Sequence, residues 1–380
     1  MDSCSLRVFE AGIWLFYHNS PWPAILIDSS TVVRPRLHVF MMANERHGGF
    51  LSSCGLMRRL QSHFHVDAWP LTGATPDENA TALREAADEV HLDGGVPACD
   101  IRGHVLFYMN DYPPLFSNFS RQWQRALRDA ASVQIAFNRT LGSLPREHWL
   151  ARQVTRIYFH DSWMGESWRF LTNESPLADI PAEVLAPPAD LTRFLRISAP
   201  RSGPVVVGRF AGDASVPRNA VELYRQLSDN VPEAEWWFMP APAALEEVFG
   251  GDRRFRFFAR NAMDPVEFLS SCHIAALTYW AGVPVPGPRS LMEAMAAGCA
   301  PVVIDREGPR DRVIHGESGF RTNDDLEFID YIARLARDPV LRDRIAAGAR
   351  ERARRWGPDV WVERIVANSL GRTDADDVEW

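Results

Sequence analysis

The stretch RSLMEAMAAGCAPVVIDREGPRDRVIHGESGF, residues 289–320, decides the reading of the fold. Its first part has the small and apolar spacing of a helix. The apolar segment APVVI follows, then a loop holding Gly308, Gly316 and Gly319. One carboxylate, Glu293, sits in the helical part, and two readings of it stand side by side. Ser290 and Glu293 match a capping box, in which the hydroxyl and the carboxylate satisfy each other's backbone amides. The other reading is a ligand. GVPVPGPRS is a stiff Gly/Pro loop that leads straight into a helix N-terminus, where the amides of Ser290 and Leu291 and the positive end of the helix dipole would attract an anion. A carboxylate one turn further in would accept hydrogen bonds from vicinal hydroxyls. Phosphates at the amides and a ribose diol on Glu293 describe a nucleotide.

Working outward, the same unit recurs. RLHVFMMAN (36–44) is a strand, ERHGG a turn, and FLSSCGLMRRL a helix with Phe50, Cys54, Met57 and Leu60 at helical spacing. FHVDAWPL, HVLFYMND, SVQIAF and RIYFH are further strands, separated by TPDENATALREAADEV and SRQWQRALRDAAS as helices. A second cycle opens at PVVVGRF and runs through AEWWFMP, FRFFA and HIAALTY to the quoted stretch. Such alternation indicates parallel sheets covered by helices. The expected division is an N-terminal extension at 1–35 (hairpin, lid or membrane-surface element), a first Rossmann-like domain at 36–190 and a linker at 191–203. A second Rossmann-like domain at 204–355, a closing helix at 356–370 and a polar tail at 371–380 complete it. Two such domains in tandem set the C-terminal ends of two sheets across one crevice, where ligands bind in folds of this kind.

Composition narrows the function. The chain has 380 residues, 46% hydrophobic and 24% charged, enough for two domains of ordinary size. Its formal charge of −8 argues against a nucleic-acid partner. There is no lysine, so all 41 fixed side-chain cations are arginines and anions must be held by guanidinium groups. Five scattered cysteines show neither metal-ligand spacing nor a disulfide framework, which suits a reducing cytoplasm.

EAMAAGCAPVVIDREGPRDRVIHGESGF resembles the C-terminal signature of retaining GT-B glycosyltransferases of family 4, also called group 1. VGRF at Arg209 resembles that family's strand end before its basic phosphate grip. EVLAPPADLTRF, ending at Phe194, resembles its interdomain segment, with Ala189 in the usual glycine position. HGGF at 47–50 resembles its N-terminal glycine turn, which places Gly48 and Gly49 beside the donor.

The resemblance implies an α/β fold of two Rossmann-like domains (GT-B), with a C-terminal helix returning toward the N-terminal domain. It implies transfer of a sugar from a nucleoside-diphosphate sugar, such as a UDP-sugar, to a hydroxyl acceptor: a glycan, a lipid-linked molecule or a small molecule. Retention of configuration, no metal and no cofactor beyond the donor itself belong to the same expectation. Glu293 matches the second carboxylate of the family's E-x7-E motif, which holds the ribose, and Val285 stands where the first glutamate belongs. Arg209 matches the family's arginine, and Arg218 is the substitute for the lysine that usually follows. Arg260 lies near the expected base pocket, and Arg289, Ser290 and Leu291 complete the donor set. Near the anomeric centre the N-domain candidates are Asp111 first and His104 second, with His160 also considered. The expected location is cytoplasmic, with peripheral contact at the inner membrane face compatible with the aromatic N-terminal half. An epimerase of the same fold and a degenerate nucleotide-binding scaffold remain as alternatives.

Overall fold

The computed structural model describes residues 4–9, 12–17, 25–27, 34–43, 48–71, 75–98, 100–109, 120–137, 149–197, 203–212, 214–278 and 287–371. Asp111 and Val285 lie outside them. The chain begins with β1 (Cys4–Phe9), β2 (Gly12–Tyr17) and β3 (Ile25–Ile27), paired antiparallel in the order β1-β2-β3.

The first large sheet comprises β4 (Arg36–Met41), β5 (His65–Pro70), β6 (Glu89–Val90), β7 (Gly103–Met109), β8 (Ala130–Phe137), β9 (Arg156–Phe159) and β10 (Ala182–Val184). Its order is β10-β9-β8-β7-β4-β5-β6, and every pair is parallel. The second comprises β11 (Val206–Phe210), β12 (Glu235–Met239), β13 (Phe255–Phe257), β14 (Ile274–Leu277), β15 (Ala300–Ile304) and β16 (Phe320–Thr322). It is ordered β13-β12-β11-β14-β15-β16, again all parallel. Chain order reverses between β4 and β7 in one sheet and between β11 and β14 in the other. These are the switch points at which crossovers leave on opposite faces and open a crevice.

The strands read as apolar runs because both faces of each sheet are covered. Leu37, Val39, Val66 and Ala68 face one helical layer, while Phe40, Phe107, Ile135 and Phe159 face the other. In the second sheet Val207, Trp236, Phe238 and Val302 oppose Leu277, Leu291, Met295 and Val303. The last helix, Pro358–Leu370, crosses back onto the first domain. There Trp361 packs fully buried against Tyr108 and Tyr158 and donates to the Ala186 carbonyl at 2.6 Å. Gln134 donates to Ser369 at 2.8 Å from the other end of the same helix. The expected architecture, including the returning helix, is the observed one. Among the described residues no helix is long and apolar enough to cross a membrane.

Three local expectations change. The helix expected to open near Ser290 runs Arg289–Ala296 behind Pro288, and no side chain caps it. The capping box is therefore not formed; the helix starts early because Pro288, which has no N–H to satisfy, takes the cap position. Gly48 and Gly49, read as a turn, already belong to the helix Gly48–Leu60. His104 is the second residue of β7, so it lies at the N-terminal edge of the sheet, at the opposite end from the crevice. It is buried beside Phe64, with its Nδ1 3.0 Å from the Ser132 hydroxyl, and burial lowers its pKa. It is a packed structural histidine.

Candidate functional site

The crevice wall of the second domain is built at its switch point. β11 carries Arg209 one residue from its end, and β14 runs into Thr278. Both are 1% exposed, with Tyr224 beneath them. Arg209 donates to the Ser215 carbonyl in the loop that follows its own strand. Burial raises the pKa of the Tyr224 hydroxyl, and the Arg209 charge opposes that shift. Arg218 is exposed in the turn that starts the helix Ala220–Asn230, and Arg260 is exposed just past the edge strand β13.

After β14 the chain returns as the helix Arg289–Ala296. Its approach is fixed by Gly287, whose φ of +48° favours glycine. A Cβ there would lie 2.5 Å from Pro187 and 3.1 Å from the His160 Cβ of the first domain. Arg289 Nε donates to Glu293 Oε1 at 2.7 Å, an i,i+4 pair within the first turns of the helix. Glu293 is 7% exposed; burial raises its pKa although Arg289 pulls it down. The Leu291 amide, expected to be available to an anion, donates to the Pro288 carbonyl at 3.1 Å, and its side chain is in the core. Leu291 therefore leaves the donor set. The backbone carbonyl of Pro288 closes the first turn on Leu291 and Met292, so the Ser290 amide lies ahead of the first helical hydrogen bond.

Across the crevice stands the helix Gly48–Leu60, which follows β4 at the other switch point. Its first turn holds no acidic residue. Arg289 NH1 reaches the Ser52 hydroxyl at 3.4 Å, so the two helix starts face each other. The structure thus brings Arg289, Ser290 and Glu293 to the start of the Gly48 helix. Arg209 and Arg218 share the neighbouring β11 loop, and Arg260 sits apart.

The domains are also joined beside this gap. β9 ends at His160-Asp161, where Asp161 caps the helix Ser162–Thr172 through the Met164 amide at 2.9 Å. Asp311, on the second-domain helix Glu307–Arg312, accepts from the Ser162 amide at 2.6 Å and its hydroxyl at 2.7 Å. The Arg312 guanidinium donates to the His160 carbonyl. His160 is buried between Tyr108 and Trp361, and burial, with Arg312 adding, pushes its pKa down to about 3. Asp161 is pushed up to about 6, chiefly by burial. This seam was not anticipated: its partners lie 149 and 152 residues apart, and no local pattern joins them.

Two helix N-termini, a buried arginine and a carboxylate–arginine pair make a surface suited to a polyanion carrying hydroxyl groups. Comparison with known proteins agrees. Residues 247–352 match the family model for glycosyl transferases group 1. Among curated proteins, none matches the sequence. Among solved structures, the chain is similar to Anabaena HepE in complex with UDP-glucose, at 14% identity and a TM-score of 0.66, covering 89% of this chain and 100% of that one. It is similar to a glycosyltransferase from Rickettsia africae, at 10% identity and a TM-score of 0.66, covering 90% and 100%. It is also similar to sucrose-phosphate synthase from Thermosynechococcus elongatus, at 14% identity and a TM-score of 0.59, covering 87% and 97%. The fold is that of these GT-B glycosyltransferase structures, and within the second domain residues 247–352 resemble the group 1 glycosyl transferases.

Proposed function

We propose that the crevice moves a hexose from a nucleoside-diphosphate sugar to a hydroxyl acceptor, with retention of configuration and with arginines in place of a metal at the diphosphate. The observation that carries this reading is the Arg289–Glu293 pair at an uncapped helix start facing the Gly48 helix. HepE was solved with UDP-glucose, which supports a donor of that class here.

Breaking the anomeric C–O bond leaves negative charge on the diphosphate and positive charge on the sugar. Preorganised donors at the leaving group supply the largest share of stabilisation in such reactions. In this chain Arg209, Arg218, Arg289 and the Ser290 amide take that role, with the start of the Gly48 helix opposite them. Glu293 Oε1 is held by Arg289, which orients the carboxylate so that its second oxygen accepts from the ribose diol. The buried pair lets one residue fix the other while the guanidinium stays close enough to a phosphate to neutralise it. Asp111, two residues after β7 in the sequence, is the N-domain group proposed for the anomeric centre. His160 is enclosed by aromatic rings and its pKa is pushed down to about 3, which makes it a weak base.

The test is a thermal-shift and nucleotide-release screen against UDP-, GDP-, dTDP- and ADP-sugars. A responding donor is then repeated with Glu293→Ala. Nucleotide affinity should fall roughly tenfold to a hundredfold, the worth of a hydrogen bond to a charged group. A variant that binds as tightly as the parent and only melts earlier would mean that Glu293 is structural. Anomeric coupling in the product reads stereochemistry, and turnover in excess chelator reads metal dependence.

A further inference from the structure

We propose that the outer edge of the first sheet carries a binding site for one divalent transition-metal ion of the zinc class, held by His65, Asp67 and Glu89, with His91 beside them. Strand register builds it. Pairing of β4, β5 and β6 sets Arg36 beside His65, His38 beside Asp67, and Asp67 beside Glu89. Side chains alternate across a sheet, so these residues share one face while Leu37, Val39, Val66 and Ala68 fill the core behind them.

The donor spacing is that of a metal site. One ligand atom from each of His65, Asp67 and Glu89 lies within 4.8 Å of the others. His65 Nε2 is 3.2 Å from Glu89 Oε1. His91 Nε2 is 3.3 Å from Asp67 Oδ1 and 3.8 Å from Glu89 Oε2. Four donors placed 2.0–2.2 Å from a tetrahedral zinc ion are separated from one another by about 3.4 Å. One imidazole and two carboxylates match the ion's ligand preference; Arg36, one nitrogen of which lies 2.8 Å from both carboxylates, competes with the ion for their charge.

The surroundings hold the donors in place. The Asp67 carboxylate is fully buried, so its orientation is fixed by its neighbours. Arg36 grips it from the side through Nε at 3.0 Å and NH2 at 2.8 Å, and also reaches Glu89 at 2.8 Å. The His91 ring is stacked on Trp69 at 3.7 Å and 9°. The Trp69 indole donates to His38 Nδ1 at 3.3 Å, and His38 Nε2 lies 3.2 Å from the Arg102 carbonyl. Both nitrogens of His38 are therefore engaged, and it is not a ligand. Such supporting contacts orient metal ligands in known sites. The cluster sits at the start of β5 and β6, toward the opposite end of the sheet from the crevice. An ion there would staple the short edge strand β6 to β5; it would take no part in sugar transfer.

The experiment uses the full chain stripped of metal by chelator. Zinc is titrated by calorimetry, and cobalt(II) is substituted as a visible-absorption probe of tetrahedral geometry. The expected result is one saturable ion per chain, a melting temperature raised by zinc and a tetrahedral cobalt spectrum. His65→Ala and Glu89→Gln alter partly exposed groups and leave Asp67 with Arg36. Each should weaken zinc roughly tenfold or more without changing the fold. Absence of saturable binding overturns the proposal. So does binding that persists unchanged in both variants, because the ion is then held by other residues.

Discussion

The helices Gly48–Leu60 and Arg289–Ala296 each leave the switch point of their sheet and each begin at the crevice, yet they bring different groups to it. The second-domain helix opens with Arg289 and Glu293 paired at 2.7 Å, beside a buried Arg209. The first-domain helix places buried Ser52 and Ser53 behind its glycines, and Ser53 donates to the carbonyl of Phe50. Among the described residues, the start of the second-domain helix carries fixed charge and the start of the first-domain helix carries backbone amides and hydroxyls. A polyanion can thus be held on the second-domain side.

The largest effect should therefore come from the charged wall. Arg209→Met keeps most of the buried volume and removes the cation. Turnover, read as nucleotide release at saturating donor, should fall by about a hundredfold to a thousandfold, the cost of losing one preorganised donor at a developing anion. Unchanged turnover would take Arg209 out of the reaction and leave the contrast between the walls resting on Arg289 alone.

The seam between the domains tests the same contrast through pH. Asp161, pushed up to about 6, stabilises the fold fully below its unfolded value of 3.8, and that contribution is lost as pH rises through 6. His160, pushed down to about 3, works in the opposite sense: its contribution is complete above 6.5 and is lost as pH falls toward 3. The two slopes offset each other over nearly the same window. Asp161→Asn keeps a good N-cap residue and removes the first slope. Denaturant melts from pH 4 to pH 6.5 should show the gap between variant and parent changing by about 3 kcal/mol, the parent losing ground as pH rises. A constant gap would mean that Asp161 titrates as an exposed carboxylate and that the seam is wet.

What could be read beforehand followed the physics of each signal. Apolar runs such as PVVVGRF and APVVI appear as β11 and β15 because a doubly covered strand has to be apolar throughout. Glu293 and Arg289 were named because a stiff loop, a helix start and a carboxylate lie within a few residues of one another, and the structure pairs them at 2.7 Å. Leu291 was misassigned because a one-residue shift of the helix start, set by Pro288, redirects its amide to a carbonyl. His104 was misassigned because a residue's end of a strand matters as much as the strand itself, and the pattern HVLFYMND does not mark which end faces the crevice. The Asp311–Ser162 seam and the His65–Asp67–Glu89 group were invisible because their partners meet only once strand register and domain packing exist.

The smallest expected effect sharpens the comparison most. Ser52 touches Arg289 at 3.4 Å, a long contact for a hydrogen bond and therefore a weak one. If Arg289 turns to a diphosphate when donor binds, that contact is broken on binding and counts against affinity. Ser52→Ala should then leave the fold unchanged within about 1 kcal/mol and tighten nucleotide binding slightly, by less than roughly tenfold. The opposite sign would be equally informative. Weaker binding in Ser52→Ala would mean that the hydroxyl itself donates to the phosphate, so that the first-domain wall holds the donor with a side chain as well as with its amides. Calorimetric titration of both proteins with the same nucleotide decides between a wall that only faces the donor and one that grips it.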